Sequence, residues 1–327
     1  MVESTQINDH ADTSPTSSWI STFQKYQGLV GLVVLLTAAF FQVRTQFFSG
    51  ANFANILNQL AVPGLLAVGM TFVILTGGID LSVGSLLGLL NCVCATWLVA
   101  GRSTPATIAF VLVIGTTVGA IIGGLISFSK MQPFVVTLAA MVSLRGMAYV
   151  YTNNGTVSGL GSKLDFLIAP RFGLPTNAWI MVAFTLVSIL ILKSTVFGRH
   201  VYAVGGGAQA ARYAGIPITK VRIGAYAING LCVAMASLIY TARNTNGAPD
   251  AGGSFELDAI TAVVVGGTSL VGGYGNIVGT FLGALFIVCL NILLILNSVN
   301  TYVGMGWKGI VILVAVYLQS IGRNQDS

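Results

Sequence analysis

Four ionisable side chains lie inside or against long apolar runs: Asp80, Arg145, Asp258 and Lys308. A charge at the centre of a bilayer span costs about 2.5–3.5 kcal/mol on insertion scales, so each is a functional candidate by default. Asp80 stands in Gly77-Gly78-Ile79-Asp80-Leu81-Ser82-Val83-Gly84, a glycine break between two apolar segments. Two readings of it stand level: a carboxylate on a solute path, or the N-cap of a helix that starts near Ser82. Arg145 is six residues from the end of its run. The topology argued below places Asp80 and Arg145 toward opposite faces, so no ion pair between them is expected. Asn55, Asn58 and Gln59 recur at i, i+3 and i+4, which puts three amides on one helical face. Asn229 and Asn291 add amides inside two later runs, and Thr71, Thr76, Gln132 and Thr137 add further polarity. Amides and hydroxyls without a fixed counter-charge suit a neutral, hydroxyl-rich solute; helix-to-helix bonding is the plainer alternative.

The residues give little to any covalent chemistry. His10 and His200 are the only histidines, and neither has a metal-ligand neighbourhood. Cys92, Cys94, Cys232 and Cys289 all fall inside apolar runs and read as small buried hydrophobes rather than a disulfide framework or metal site. Asp80 and Asp258 would be the pair of an intramembrane aspartyl protease, but the chain has Gly-Ile-Asp where such enzymes use Gly-x-Gly-Asp. No G-x-x-x-x-G-K-[ST] loop occurs, so ATP-driven work would need a separate polypeptide. No cofactor, metal or nucleic-acid partner is expected, and the chain itself is not expected to be an enzyme.

The elements that must position these residues are membrane helices. Of 327 residues 55% are hydrophobic and only 7% charged, against roughly 25% charged in soluble domains. Apolar runs of about 20 residues recur, each long enough to cross some 30 Å of hydrocarbon. They show no period-2 alternation, so α-helices rather than a barrel satisfy the backbone. The expected fold is an all-α polytopic bundle of about ten spans: 29–43, 56–76, 82–100, 105–128, 133–151, 179–192, 223–240, 257–271, 277–296 and 303–321. The eighth runs into Gly266-Gly267 and is either a full span or a half-helix; a re-entrant half-helix would put the C-terminus on the other face. Residues 1–26 lack a basic signal-peptide region and read as a disordered tail. Trp19, Ile20, Phe23 and Tyr26 at its end suit the headgroup boundary. The transmembrane domain would cover 27–322, with a short tail at 323–327.

Lys193, Arg199, Arg212, Lys220 and Arg222 lie between spans six and seven with no acidic residue among them. The positive-inside rule makes that connector, 194–220, cytoplasmic, and ten spans then leave both termini in the cytoplasm. Within it Gly205-Gly206-Gly207 breaks the chain, Ala208 to Ala214 is helix-forming, and Gly215 and Pro217 stop the helix. Such a helix on the cytoplasmic face is something a partner can push against. Glycines at every fourth position (Gly115, Gly119, Gly123; Gly275, Gly279, Gly283) mark faces for close helix packing. Gly77–Gly84 and Gly266–Gly273 both fit G-G-x-x-L-x-x-G, a faint pairing of glycine-interrupted segments of the kind found at transporter binding sites.

Three ordered blocks resemble the ribose-type ABC sugar permeases. They are Val68-Gly69-Met70-Thr71 through Ser85; Phe197-Gly198-Arg199-His200-Val201-Tyr202-Ala203-Val204-Gly205-Gly206 with Ala211-Arg212-Tyr213-Ala214-Gly215-Ile216; and Glu256-Leu257-Asp258-Ala259-Ile260 running into Val264–Gly273. Arg145-Gly146 also fits. The resemblance implies the ABC importer permease fold in a bacterial inner membrane. It implies a pore formed by two permease chains, usually identical, and a monosaccharide delivered by a periplasmic binding protein. It further implies cytoplasmic ATPases seated on the coupling element, whose residues would include Arg199, Gly205, Gly206, Ala211, Arg212 and Gly215. Where the family usually has Asn-Glu after the paired glycines, this chain has Gly207-Ala208. An ABC permease for a nucleoside, polyol or branched-chain amino acid is the alternative, and a proton-coupled secondary transporter using Asp80 a remoter one.

Overall fold

A computed structural model describes residues 15–129, 131–300 and parts of 303–317, with side chains from residue 28 onward. Eleven α-helices carry the described chain: α1 (Pro15–Phe47), α2 (Gly50–Leu75), α3 (Val83–Val99), α4 (Thr104–Ser129), α5 (Pro133–Tyr151), α6 (Thr176–Ser194), α7 (Val196–Gly206), α8 (Ala208–Tyr213), α9 (Ile218–Asn244), α10 (Phe255–Val265) and α11 (Ile277–Leu296). A two-residue hairpin, β1 (Pro170–Arg171) and β2 (Leu174–Pro175), is the only sheet among the described residues. Seven of the described helices are long and apolar enough to cross a bilayer. The all-α polytopic expectation therefore holds.

The central helix is α2. From Leu60 to Leu75 nearly every side chain is buried, which explains why its apolar residues run unbroken instead of forming one stripe. α9 packs along it, and α4 packs on α9 through the four-residue glycine repeat. A Cβ at Gly119 would overlap the Tyr226 carbonyl oxygen, and one at Gly230 would overlap that of Gly115. The backbones therefore touch directly, a packing mode that suits lipid, where no hydrophobic force draws helices together. On the other side α11 packs against α1, α2 and α10, and a Cβ at Gly283 would overlap the Ala262 carbonyl.

Several expectations need correction. Helix α1 starts at Pro15, within the stretch read as a disordered tail, and breaks its helical geometry at Val43 (φ −140°, ψ 38°). The side chains of Trp19, Ile20, Phe23 and Tyr26 lie outside the described residues, as does Lys308. The break in the basic connector comes later than the glycine triplet indicates. Helix α7 runs through Gly205 and Gly206, and only Gly207 is extended (φ 172°). In place of a span over 257–271 there is an eleven-residue helix, α10, that starts at Phe255 and ends at Val265, about 16 Å long and half the thickness of the hydrocarbon core.

The faint repeat has a structural counterpart shifted by one residue. Helix α2 closes with Gly77 N donating to Ile74 O and Gly78 N to Val73 O; α10 closes with Gly267 N to Val264 O and Thr268 N to Val263 O. Both are Schellman caps, with the left-handed glycine at Gly77 (φ 78°) and Gly267 (φ 85°). Gly77 thus corresponds to Gly267, not Gly266.

Candidate translocation path and coupling surface

Asp80 sits deep, not at a helix end on the surface. Its Oδ2 accepts from Asn229 Nδ2 at 2.8 Å, and Asn229 lies eleven residues beyond the start of α9 at Ile218, about 16 Å along the helix. The chain leaving α2 at Gly77 therefore turns back into the bundle before α3 begins. Asp80 Oδ1 accepts from both the backbone N (2.9 Å) and the hydroxyl (2.6 Å) of Ser82, the residue that precedes α3. Asp80 is thus a brace for the helix start rather than its N-cap. Asn229 in turn fills the hollow at Gly69, where a Cβ would come 2.6 Å from Asn229 Oδ1. That oxygen is buried without a partner. Arg145 is elsewhere, bonded to the carbonyls of Pro249 and Ala251, so the expectation of no Asp80–Arg145 pair is met.

This geometry makes opposite predictions for two substitutions. Asp80→Ala leaves the Ser82 donors and the Asn229 amide buried without an acceptor, at about 1–3 kcal/mol for each unsatisfied group. Asp80→Asn keeps an acceptor for Ser82, and a turned-over Asn229 amide presents its free oxygen to the new Nδ2. In detergent, the unfolding temperature of Asp80→Asn is expected to stay near wild type while that of Asp80→Ala drops. A stable Asp80→Asn protein that had lost uptake would show that the charge itself is used in transport.

Asn55, Asn58 and Gln59 lie on α2 at the hairpin end of the bundle. Gln59 Nε2 donates to Asn55 Oδ1 (3.0 Å), and Asn58 Oδ1 accepts from Asn177 Nδ2 at the start of α6 (2.7 Å). Arg243, at the end of α9, reaches the Asn58 carbonyl at 3.4 Å. Asn291 is half-buried on α11, and nothing brings it to the other candidates.

Between α9 and α10 the chain is irregular. A Cβ at Gly247 would overlap Ala95, and one at Gly252 would overlap the Gly84 carbonyl's surroundings at the other end of α3. The stretch therefore descends along α3 from the hairpin end to the depth where α10 starts. The fully buried Asn91 amide holds its upper part, donating to Asn246 O and Thr241 Oγ1 and accepting from Ala248 N, all at 2.8 Å. Sequence reasoning passed over Asn91; the signal available was one amide in the middle of an otherwise apolar run. Helix α10 and this stretch form a discontinuous segment, half irregular and half helical, of the kind that lines solute sites in many transporters.

The residues expected to couple to a partner gather at the opposite end. Helix α8 is capped by Gly215 (φ 77°), with Gly215 N donating to Arg212 O and Ile216 N to Ala211 O. Ala211 is buried beneath it, while Arg199, Arg212 and Tyr213 are exposed. Gly205 of α7 lies directly on the Leu75 carbonyl of α2 and on Gly273 N, and Gly273 N itself donates to Leu75 O at 3.0 Å. Gly272 approaches Gly77 so closely that a Cβ would lie 2.7 Å from its nitrogen. Three backbone segments thus meet: the end of α7, the end of α2, and the loop after α10. Tyr202 fastens the same junction by donating to Gly275 O at 2.9 Å. Burial pushes the Tyr202 hydroxyl up from its ordinary value, so it stays a donor.

A polytopic helical bundle with a discontinuous helical segment inside it, and a basic connector whose helix α7 touches that segment's loop by backbone contact, has the architecture of a membrane transport permease. The chain belongs to the permease family described as branched-chain amino acid transport system / permease component, whose model matches residues 52–316. Among its relatives, the ribose import permease protein RbsC of Bacillus subtilis is 44% identical, covering 90% of this chain and 92% of the relative. That of Escherichia coli K12 is 41% identical over 93% and 95%. The xylose transport system permease protein XylH of Escherichia coli K12 is 33% identical over 86% and 87%. No solved structure matches the chain.

Proposed function

We propose that this chain is the membrane-spanning permease subunit of an ATP-driven ABC importer that carries a ribose-like monosaccharide across a bacterial inner membrane. The observation that carries this reading is the likeness to ribose import permeases along some nine-tenths of the chain, higher than to the xylose permease. A second copy of the chain completes the pore, a periplasmic binding protein delivers the sugar, and a cytoplasmic ATPase docks on the 194–220 connector around α8. Both termini then face the cytoplasm, and the hairpin end faces outward. The amides at the hairpin end, Asn55, Asn58 and Gln59, form the path wall, and Arg145 holds the irregular stretch beside it. Asp80 and Asn229 support it from behind. Arg199, Arg212 and Ala211 form the docking unit, stopped by Gly215, and Gly205 passes its movement to α2 and to the loop after α10. A neutral sugar fits the engaged state of the deep groups: the Arg145 guanidinium is bonded to backbone carbonyls and the Asp80 carboxylate to Ser82 and Asn229.

The test is uptake by proteoliposomes holding the permease, its ATPase and its binding protein. Labelled ribose is expected to enter only with ATP and binding protein present, and excess xylose, nucleoside or leucine is expected to compete poorly. Competition by leucine stronger than by ribose would move the reading to the amino-acid side of the family. Uptake that ignored ATP and collapsed with an uncoupler would overturn it.

A further inference from the structure

The irregular stretch between α9 and α10 is held by a few backbone bonds and by two side chains from other helices, Asn91 and Arg145. Gly247 exchanges backbone bonds with Val157, a residue of the loop between α5 and α6. Asn246 O and Ala248 N are taken by Asn91, and Ala248 O and Gly252 O accept from Ala251 N and Phe255 N. The carbonyls of Pro249 and Ala251 take no backbone donor, and a carbonyl without a donor at membrane depth costs several kcal/mol. Both are satisfied by one atom. Arg145 Nη1, reaching from α5, donates to Pro249 O at 2.6 Å and to Ala251 O at 2.7 Å.

The route of that side chain is cut through α3. A Cβ at Gly88 would lie 2.7 Å from Ala251 O and 2.8 Å from Arg145 Nη1, so any larger residue at 88 would crowd the contact. Below it, Gly252 (φ 73°) and Ser254 (φ 67°) are left-handed on either side of Gly253, and α10 begins at once without a side-chain cap. The stretch is fixed at the top by Asn91 and Val157, rests on Gly84 of α3 at Gly252, and between these points is tied to α5 by Arg145. Helix α5, which supplies the latch, buries few of its own residues in this chain, Val136, Thr137, Leu144 and Ala148 among them, so apart from its seam with α3 little of the bundle holds it.

We infer that Arg145 is a positioning residue that latches the 246–254 stretch against α3, making this stretch the gate on the hairpin side of the path, and that it does not itself bind the solute. This inference rests on the transport reading above, but its main readout does not need a sugar. Exchange of the two carbonyl bonds as α5 moves would free the stretch, and their re-formation would close it.

Cysteine labelling tests this in the assembled transporter. The four native cysteines are buried, while Gly253 is exposed and a Cβ there meets only Asp250 O at 3.6 Å, so Gly253→Cys carries the reporter thiol. With Arg145→Met added, the rate of labelling by a membrane-impermeant maleimide is expected to rise at least about tenfold, the factor carried by about 1.4 kcal/mol. Sugar uptake falls by a similar factor while ATP hydrolysis continues. Arg145→Lys, which keeps the cation on a shorter donor head, should fall between the two in both readouts, and it supplies the same comparison if Arg145→Met does not reach the membrane. Unchanged labelling with lost uptake would overturn the latch and give Arg145 a direct role on the solute. Raised labelling with unchanged uptake would overturn the gate. If even the wild-type assembly imports no sugar, the transport reading fails while the labelling still decides whether Arg145 holds the stretch.

Discussion

Gly205→Ala is expected to leave a transporter that inserts, binds its ATPase and hydrolyses ATP, yet imports sugar at least about tenfold more slowly. The added Cβ would overlap the Leu75 carbonyl oxygen and crowd Gly273 N, and the neighbours are backbone atoms that have no rotamer in which to escape. Forced overpacking of this kind costs about 1–3 kcal/mol, a range that corresponds to roughly one or two powers of ten in an equilibrium. Here it falls on the backbone bond that joins α2 to the loop after α10, Gly273 N to Leu75 O. Separation of the three segments would leave the basic connector free to move without carrying α2 and α10 with it. The neighbouring Gly206→Ala is the internal control, since its Cβ meets nothing within 4 Å and should leave uptake near wild type. The measurement is uptake against ATP hydrolysis in the same proteoliposomes. Equal behaviour of the two variants would show that the close approach at Gly205 is not what transmits movement.

The largest expected effect on stability is at the α4–α9 contact. Gly119→Val places a branched side chain where even a Cβ overlaps the Tyr226 carbonyl and lies 3.1 Å from Gly230 Cα. The helices must part, and contacts along the Gly115 and Gly123 positions are lost with them, because the three share one face. A loss of at least about 3 kcal/mol is expected, above the usual 1–3 for overpacking because backbone cannot repack. Gly124→Ala, on the same helix, meets only the Phe128 ring at 3.9 Å. It should be neutral or stabilising by up to about 1 kcal/mol, since glycine is the poorer helix former. Unfolding of the two variants in detergent, followed by circular dichroism, separates them; similar midpoints would show that lipid-facing slack absorbs the larger side chain.

Much of the fold could be read from residue order, because a bilayer forces long apolar segments into helices. The bounds 133–151 and 277–296 agree with α5 and α11 to the residue, where Pro133 and Asn276 mark the starts. The cap of α8 at Gly215 was equally legible, since a left-handed position announces itself by glycine. The length of α7 was not. Glycines at 205 and 206 look like a break by propensity, whereas in the structure their missing side chains are spent on contact with Leu75 and Gly273, and the helix continues through them. Propensity reads a residue's effect on its own backbone and is silent on the backbone packed against it.

The candidate site divides in the same way. Residue types alone identified Asp80, Arg145 and the amides of α2, because polarity inside an apolar run is costly wherever it ends up. Their partners were decided by tertiary structure: Asn229 lies 149 positions from Asp80, and Pro249 lies 104 from Arg145. Composition and hydropathy determined that this is a helical membrane protein without a nucleotide loop of its own. Only the packed structure decided that α10 is a short helix continued by an irregular stretch tied to α3 and α5, and that glycines of three segments meet at one junction. Hydrogen bonds and close approaches between distant segments depend on which helix faces join, and that is a property of the whole bundle rather than of any one run.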